Sequence, residues 1–532
     1  MQSIAHPLRR PALLRALPPH EQGGGTAYGN PVIRGFAPDP SVVRVGDDYY
    51  VVHSTFQFFP AISISHSRDL VHWRRIGHVF ESVESLDLRS YFDGCGVWAP
   101  DISYHDGWFY VFFCLVQLTR DRTVNRRGNY MVRSRSIHGP WSEPVQLTDE
   151  GNDPSHFVED DGSHWMLYAP GMRLERGTKI VRLSDDCTRT VGEPYWMRWG
   201  SDRTAPEGPH VFKRGGWYYH TMAAGSGIYD GHHQLIARSR TLLGEYEPSP
   251  HGPFIAQLDR SSPIQHHGHA KLVEDTTGRW WAMYLCQRRL NGVSPLGRET
   301  GLDRIDWLDD GWPVISGGCG PISHTNGFVR SHAAEVIDDF DAPKLDVDWM
   351  SIRKPAEFSL AARPGWLRLQ ADRSPLSESS CSGALLRRET NHYYVARTLV
   401  DFDSSHGGLA GLVCYYDTAC HISLSVTGRN ERVLELAERR RGVDAIVARV
   451  AVPDGKLHLG VQVEGLRRTF SFSVDGERWL DIASIEDCSF LSDEGTPNWG
   501  FTGTLVGVFA TSDGGQRAAH ADFDWFAMRD EV

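Results

Sequence analysis

The sequence lacks most of what helical, redox or membrane proteins require. Its nine cysteines are scattered over 532 residues and form no Cys-x-x-Cys pair, which argues against a structural zinc site. An odd, dispersed set reads as reduced and mostly buried thiols, and the expectation is a cytoplasmic protein. Residues 1–27 contain Arg9, Arg10 and Arg15 and several prolines but no apolar run of signal-peptide length. They read as a mobile tail. No apolar stretch anywhere suits a membrane span. A net charge of −12 speaks against nucleic acid or an anionic membrane as partner, because both call for a basic patch. There is no Gly-x-Ser-x-Gly elbow, Walker loop or dinucleotide fingerprint, so esterase, nucleotide and redox chemistry find no support. Long helical periodicities are scarce.

What the chain does have is aromatic side chains, with 17 Trp, 18 Tyr and 23 Phe, and a recurring phrase. A Pro, Gly or Asp sits beside an acid or His. A short apolar strand, a Gly/Asp turn and an aromatic pair opening a second strand follow. The copies begin at PDPSVVRVGDDYYVV, APDISYHDGWFYVFF, NDPSHFVEDDGSHWMLY, PEGPHVFKRGGWYYH and GHAKLVEDTTGRWWAMY, with pairs at Tyr49–Tyr50, Trp108–Phe109, His164–Trp165, Trp217–Tyr218 and Trp280–Trp281. Turns such as Asp106-Gly107 and Gly215-Gly216 suit hairpins. An interval of roughly 50–65 residues fits one four-stranded blade with its loops, so five copies predict a five-bladed β-propeller over residues 28–325.

The phrase stops after about Gly317. Ser316-Gly317-Gly318-Cys319-Gly320-Pro321 reads as a linker, since no Lys-Ser/Thr follows to make a phosphate loop. Beyond it, segments such as GWLRLQA, HISLSV and KLHLGVQV alternate strands with turns. They predict a C-terminal antiparallel β-sandwich, jelly-roll-like, over residues 326–532. The fold class is all-β.

The inner strand of each blade lines the axis of a propeller, so the heads of the five copies converge. Those heads read as Asp39, Asp101, Asp153, Glu207 and His269. Confined like charges raise a carboxyl's pKa, and one protonated and one ionised carboxyl can act together as general acid and general base. Inverting glycoside hydrolysis needs such a pair and no cofactor for its chemistry. Each residue also has a plainer reading: Asp39 and Asp153 precede prolines, a common turn device, and Asp101 reads either as a structural or as a substrate-facing acid. Trp98 suits a sugar platform or the core. The cluster His266-His267-Gly268-His269 reads as a single inward His269, with the other two histidines on the surface or in a loop.

These motifs resemble glycoside hydrolase family 43, in its branch of two-domain β-xylosidases and α-L-arabinofuranosidases. The likeness rests on NPVIRGFAPDPS from Asn30, STFQFFP from Ser54, GVWAP from Gly96, Asp153-Pro154-Ser155, Glu207-Gly208-Pro209-His210, PLGRET from Pro295 and NWGFTG from Asn498. It spans residues 30–530. The resemblance implies Asp39 as general base, Glu207 as general acid and Asp153 as the acid that orients Glu207 and keeps its pKa high. It also implies substrate contacts at Phe56, Trp98, Asp101, Arg298 and Phe501, the last from a sandwich loop that closes the pocket for exo action. His269 would stand at the axis, where related enzymes hold a calcium or sodium ion through waters.

The chain departs from this pattern at Ala37, where His is usual, at Gln57, where Glu is frequent, and at Asp101, where His is usual. The departures leave the reaction type intact and open the choice of sugar. The expected partner is a short plant-derived oligosaccharide, and a homo-oligomer is compatible with this type of chain. Two other readings remain at this point: a propeller that binds carbohydrate without turnover, and a retaining hydrolase of another propeller class.

Overall fold

The computed structural model describes residues 28–119, 124–171, 177–199, 205–225, 231–257, 259–315, 335–428, 431–512 and 519–531. The expected tail at 1–27, Cys319 and the expected domain boundary at 325/326 lie outside the described residues. Among those described there is no α-helix, and no helix long and apolar enough to cross a membrane. The eight described cysteines are buried and unpaired.

Five antiparallel sheets form the first half. Their opening strands are Ser41–Val45, Gly96–His105, Asn152–Val158, Glu207–Arg214 and Ile264–Glu274, and each contacts the next in a closed cycle. This is a β-propeller. Residues 32–37 close the ring by running beside the fifth sheet. The Val32 amide donates to the Thr300 carbonyl at 2.9 Å, and the Ala37 amide to the Arg298 carbonyl at 2.9 Å. Aromatic side chains fill the space between sheets. Phe212, Tyr219, Trp280 and Trp307 form one such buried or half-buried cluster.

The second half is a sandwich. One sheet holds Tyr393–Asp401, Leu457–Glu464, Arg467–Ser473 and His520–Asp530; the other holds Leu409–Asp417, Cys420–Thr427, Val433–Arg440 and Leu505–Thr511. Alternating residues such as Leu412, Cys414, Val461 and Phe470 face inward and meet in a single core. The two halves are joined by strand Phe58–Phe59, paired with Ser351–Ile352. A buried ion pair, Arg353 Nη2 to Asp93 Oδ1 at 2.5 Å, supports the same junction.

Strand register corrects two expectations, the placing of Asp101 and of Glu207 at the same repeat position as Asp39, since Glu207 stands one residue before its sheet's equivalent, Gly208. Ser41 pairs with Val52, Asp101 with Phe112, Ser155 with Leu167, His210 with Thr221 and Lys271 with Met283. These five are equivalent positions. Two residues earlier in every sheet stands a residue with positive φ: Asp39 (53°), Ala99 (38°), Asp153 (54°), Gly208 (53°) and His269 (48°). In the last four sheets this residue falls at a β-bulge in the opening hairpin. The counterpart of Asp39 in the second sheet is therefore Ala99, and Asp101 belongs one layer deeper. The shared letters Ala-Pro-Asp at 37–39 and 99–101 conceal a shift of two residues.

Candidate active site

The upper layer carries the open chemistry. Asp39 accepts from Arg298 Nη1 at 2.7 Å and from Ser54 Oγ at 2.6 Å. The Ser54 hydroxyl also accepts from the Ala99 amide at 2.7 Å, which fixes both. His269 turns Nδ1 toward Asp39, at 3.5 Å. Asp153 is buried and accepts from the Gly208 amide at 3.0 Å. A Cβ on Gly208 would lie 2.5 Å from His269 Cδ2, and its φ is left-handed, so only glycine lets the fourth sheet approach this closely. Glu207, one residue before, keeps a side chain 24% exposed, while Asp39 and Asp153 are at 4% and 6%. It is the most exposed of the three acids.

Glu207 has a partner that the sequence did not reveal. His232 Nε2 lies 2.8 Å from Glu207 Oε1, and His232 Nδ1 points at the His266 carbonyl, 3.3 Å away. A carbonyl only accepts, so Nδ1 carries a proton. Nε2 of a neutral ring then accepts from a Glu207 carboxylic acid, and a charged ring donates to a Glu207 carboxylate. In both forms one proton lies on this contact. Burial pushes the Glu207 carboxyl up, but the bond to His232 and the charges around it outweigh burial and hold it below its ordinary value, so the high pKa expected of this acid is not found. Asp153 is pushed up, first by burial and then by Glu207 and Asp39, against the pull of His269. The signal for His232 was Gly268: a Cβ there would sit 2.3 Å from His232 Cε1. His266 and His267, expected at the surface or in a loop, are buried at 5% and 1% because His266 caps His232 and His267 packs on Tyr284.

The aromatic candidates meet. Phe56 stacks on Phe501 at 5.7 Å between centroids, and Trp98 meets Phe501 edge-on at 5.1 Å. Arg298 lies over both phenyl rings and donates Nη2 to the Phe501 carbonyl at 3.1 Å. The loop bearing Phe501 comes from the sandwich and is fixed onto the propeller. Thr504 donates its amide to Pro295, and Ser294 bonds Glu494 through its amide at 2.8 Å and its hydroxyl at 3.0 Å. Phe56, Trp98, Arg298 and Phe501 thus form one wall beside Asp39.

Asp101 is not part of that wall. Its Oδ1 accepts from Lys271 Nζ at 2.5 Å, Ser41 Oγ at 2.7 Å and His210 Nε2 at 3.2 Å, and its Oδ2 from the His156 amide at 2.9 Å. It is 2% exposed. Burial would raise its pKa, but Lys271 and His210 outweigh that and hold it well below the usual carboxylate range. The substrate contact expected of Asp101 is replaced by a hub that receives a bond from each of the other four sheets. Gln57 is likewise spent internally, on the Gly94 amide at 3.1 Å.

One layer below His269, where the sheets converge on Asp101, the axis does not suit the calcium or sodium ion expected there. Calcium seeks six to eight oxygens. The oxygens nearest the axis, on Asp101, Ser41 and Ile102, already hold the Lys271 ammonium. Away from the axis, His156, His164 and Cys187 place metal-capable atoms within 4.8 Å of one another. There the two imidazoles are coplanar within 3° and meet at 2.9 Å, the geometry of an N–H···N hydrogen bond.

A propeller with acids at its mouth and a sandwich loop over it defines a glycoside hydrolase of the two-domain type. Residues 28–313 match the profile of Glycosyl hydrolases family 43, and residues 337–529 that of the Beta xylosidase C-terminal Concanavalin A-like domain. The chain belongs to glycoside hydrolase family 43. It is 34% identical to a xylan 1,3-beta-xylosidase of a Vibrio species, over 94% of this chain and 99% of the relative. It is also 34% identical to a non-reducing end alpha-L-arabinofuranosidase of Bacteroides ovatus, over 94% of each chain. The crystal structure of the family 43 protein BlXynB from Bacillus licheniformis superposes with a TM-score of 0.89 at 42% identity, covering 95% of this chain and all of that one.

Proposed function

We propose that this hydrolase is exo-acting and inverting and releases one terminal pentose, β-D-xylose or α-L-arabinofuranose, from short oligosaccharides. The observation that carries the reading is the pairing of Asp39 and Glu207 at one mouth with opposite equipment. Asp39 is an acceptor fixed by Arg298 and Ser54, which suits the base that takes a proton from water. Glu207 shares a proton with His232 and is the most exposed of the three acids, which suits the acid that protonates the leaving oxygen. Asp153 positions Glu207 through the Gly208 amide. The Phe56, Trp98 and Phe501 wall suits the apolar face of a single sugar ring, and Arg298 lies beside it. The relatives act on xylosides and arabinosides by name, which supports the pentose. Eight buried, unpaired thiols suit a reducing compartment, and the reading extends to cytoplasmic action.

The test is a rate comparison on phenyl β-D-xylopyranoside and phenyl α-L-arabinofuranoside, whose leaving group needs a proton, with Glu207→Ala as control. Turnover of one or both, lost in the control, is expected. Equal rates in the control and the parent would overturn the assignment of the acid.

A further inference from the structure

We propose that Lys271 is a built-in axial cation: its ammonium takes the place on the propeller axis that a metal ion would otherwise fill. An ammonium has three protons to donate. Here they go to Asp101 Oδ1 at 2.5 Å, Ile102 O at 2.6 Å and Ser41 Oγ at 3.1 Å. Those acceptors belong to the first and second sheets, and Lys271 to the fifth. The charge therefore spans the seam where the ring closes. Asp101 collects the remaining sheets through the His156 amide and His210.

One charge held by oxygens from two strands and tethered to a third resembles the way a calcium ion ties a fold together. The chain supplies that charge covalently. A divalent ion added here would face an ammonium across the same oxygens, and the repulsion would leave it no net attraction. His269 turns one ring nitrogen toward Asp39 and lays its ring against Gly208. The axis is accordingly held without metal, and the active-site layer two residues above it inherits that independence.

The full chain, dialysed against EDTA, tests this by metal analysis and thermal unfolding with and without calcium chloride. The wild type is expected to retain no stoichiometric calcium and to melt at the same temperature in both conditions. Lys271→Ser vacates the ammonium and leaves Asp101 without its main partner. It is expected to melt lower in EDTA, recover several degrees with calcium chloride and bind one calcium per chain. Lys271→Arg, which keeps the charge, is expected to stay indifferent to calcium. One calcium retained by the wild type, or a loss of its melting temperature in EDTA, would overturn the proposal without any variant. So would a folded Lys271→Ser protein that ignores calcium.

Discussion

Two layers of the same propeller axis, two residues apart, behave as opposites. At the mouth stand Asp39, Ala99, Asp153, Gly208 and His269, each with a left-handed backbone. Beneath stand Ser41, Asp101, Ser155, His210 and Lys271, in regular strand pairing. Both layers hold buried carboxyl groups. The mouth keeps Asp153 pushed up in pKa and a proton on the contact between Glu207 and His232. The lower layer holds Asp101 ionised under a lysine with its oxygens occupied. The repeat thus supplies the same scaffold twice, and the bulge decides which layer reacts and which one locks the ring.

Substitutions separate the layers by their readouts. The largest effect belongs to the mouth. Asp39→Asn should lower kcat/KM by about 10²–10⁴-fold on every glycoside, the usual range for a positioned acid or base. Glu207→Gln should lose a similar factor on alkyl and natural glycosides yet largely spare a dinitrophenyl glycoside, whose leaving group needs no proton. A uniform loss across leaving groups would remove Glu207 from the acid role.

Next comes the lower layer. Asp101→Asn strips a buried lysine of its counter-charge and should cost about 3–5 kcal/mol of stability, read by urea unfolding. The acid–base limbs of the pH–rate profile should stay in place. A moved limb with unchanged stability would reverse the assignment of the layers.

The sandwich contribution is smaller. Phe501→Ala removes its stack on Phe56, worth about 0.5–1.5 kcal/mol of stability, and with the wall loosened KM should rise while kcat changes little.

A further effect, read as a pH dependence of stability, concerns Asp417, which shares Asn498 with Asp93 where the halves meet. Burial, then Asp93, raises its pKa from 3.8 to about 7. Between those values the folded state holds a proton that the unfolded chain releases, so stability falls as pH rises through this window. Asp417→Asn should flatten that part of the stability–pH curve.

The sequence carried the propeller because its turn residues and aromatic pairs are local and ordered. It pointed to Asp39 and Asp153, which fall at one repeat position, and to Glu207, which falls one residue from it. It misplaced Asp101 because a β-bulge leaves no letter of its own, and Ala-Pro-Asp occurs at two different registers. Lys271 was missed because its partners come from other sheets, far away in sequence, and His232 because it meets Glu207 from the far side of the same sheet, outside the repeated phrase. Phe501 could be found only through the family likeness, since nothing in its own segment says that a sandwich loop reaches a propeller mouth.

The most direct test of the acid–base reading is proton NMR of the sugar first released from an aryl β-D-xylopyranoside, or from the matching α-L-arabinofuranoside if that is the substrate turned over. The account predicts the inverted anomer, α-xylose or β-arabinofuranose, before mutarotation mixes the signals. The retained anomer appearing first would mean a covalent intermediate, and would contradict a site in which Asp39 activates water while Glu207 delivers the proton.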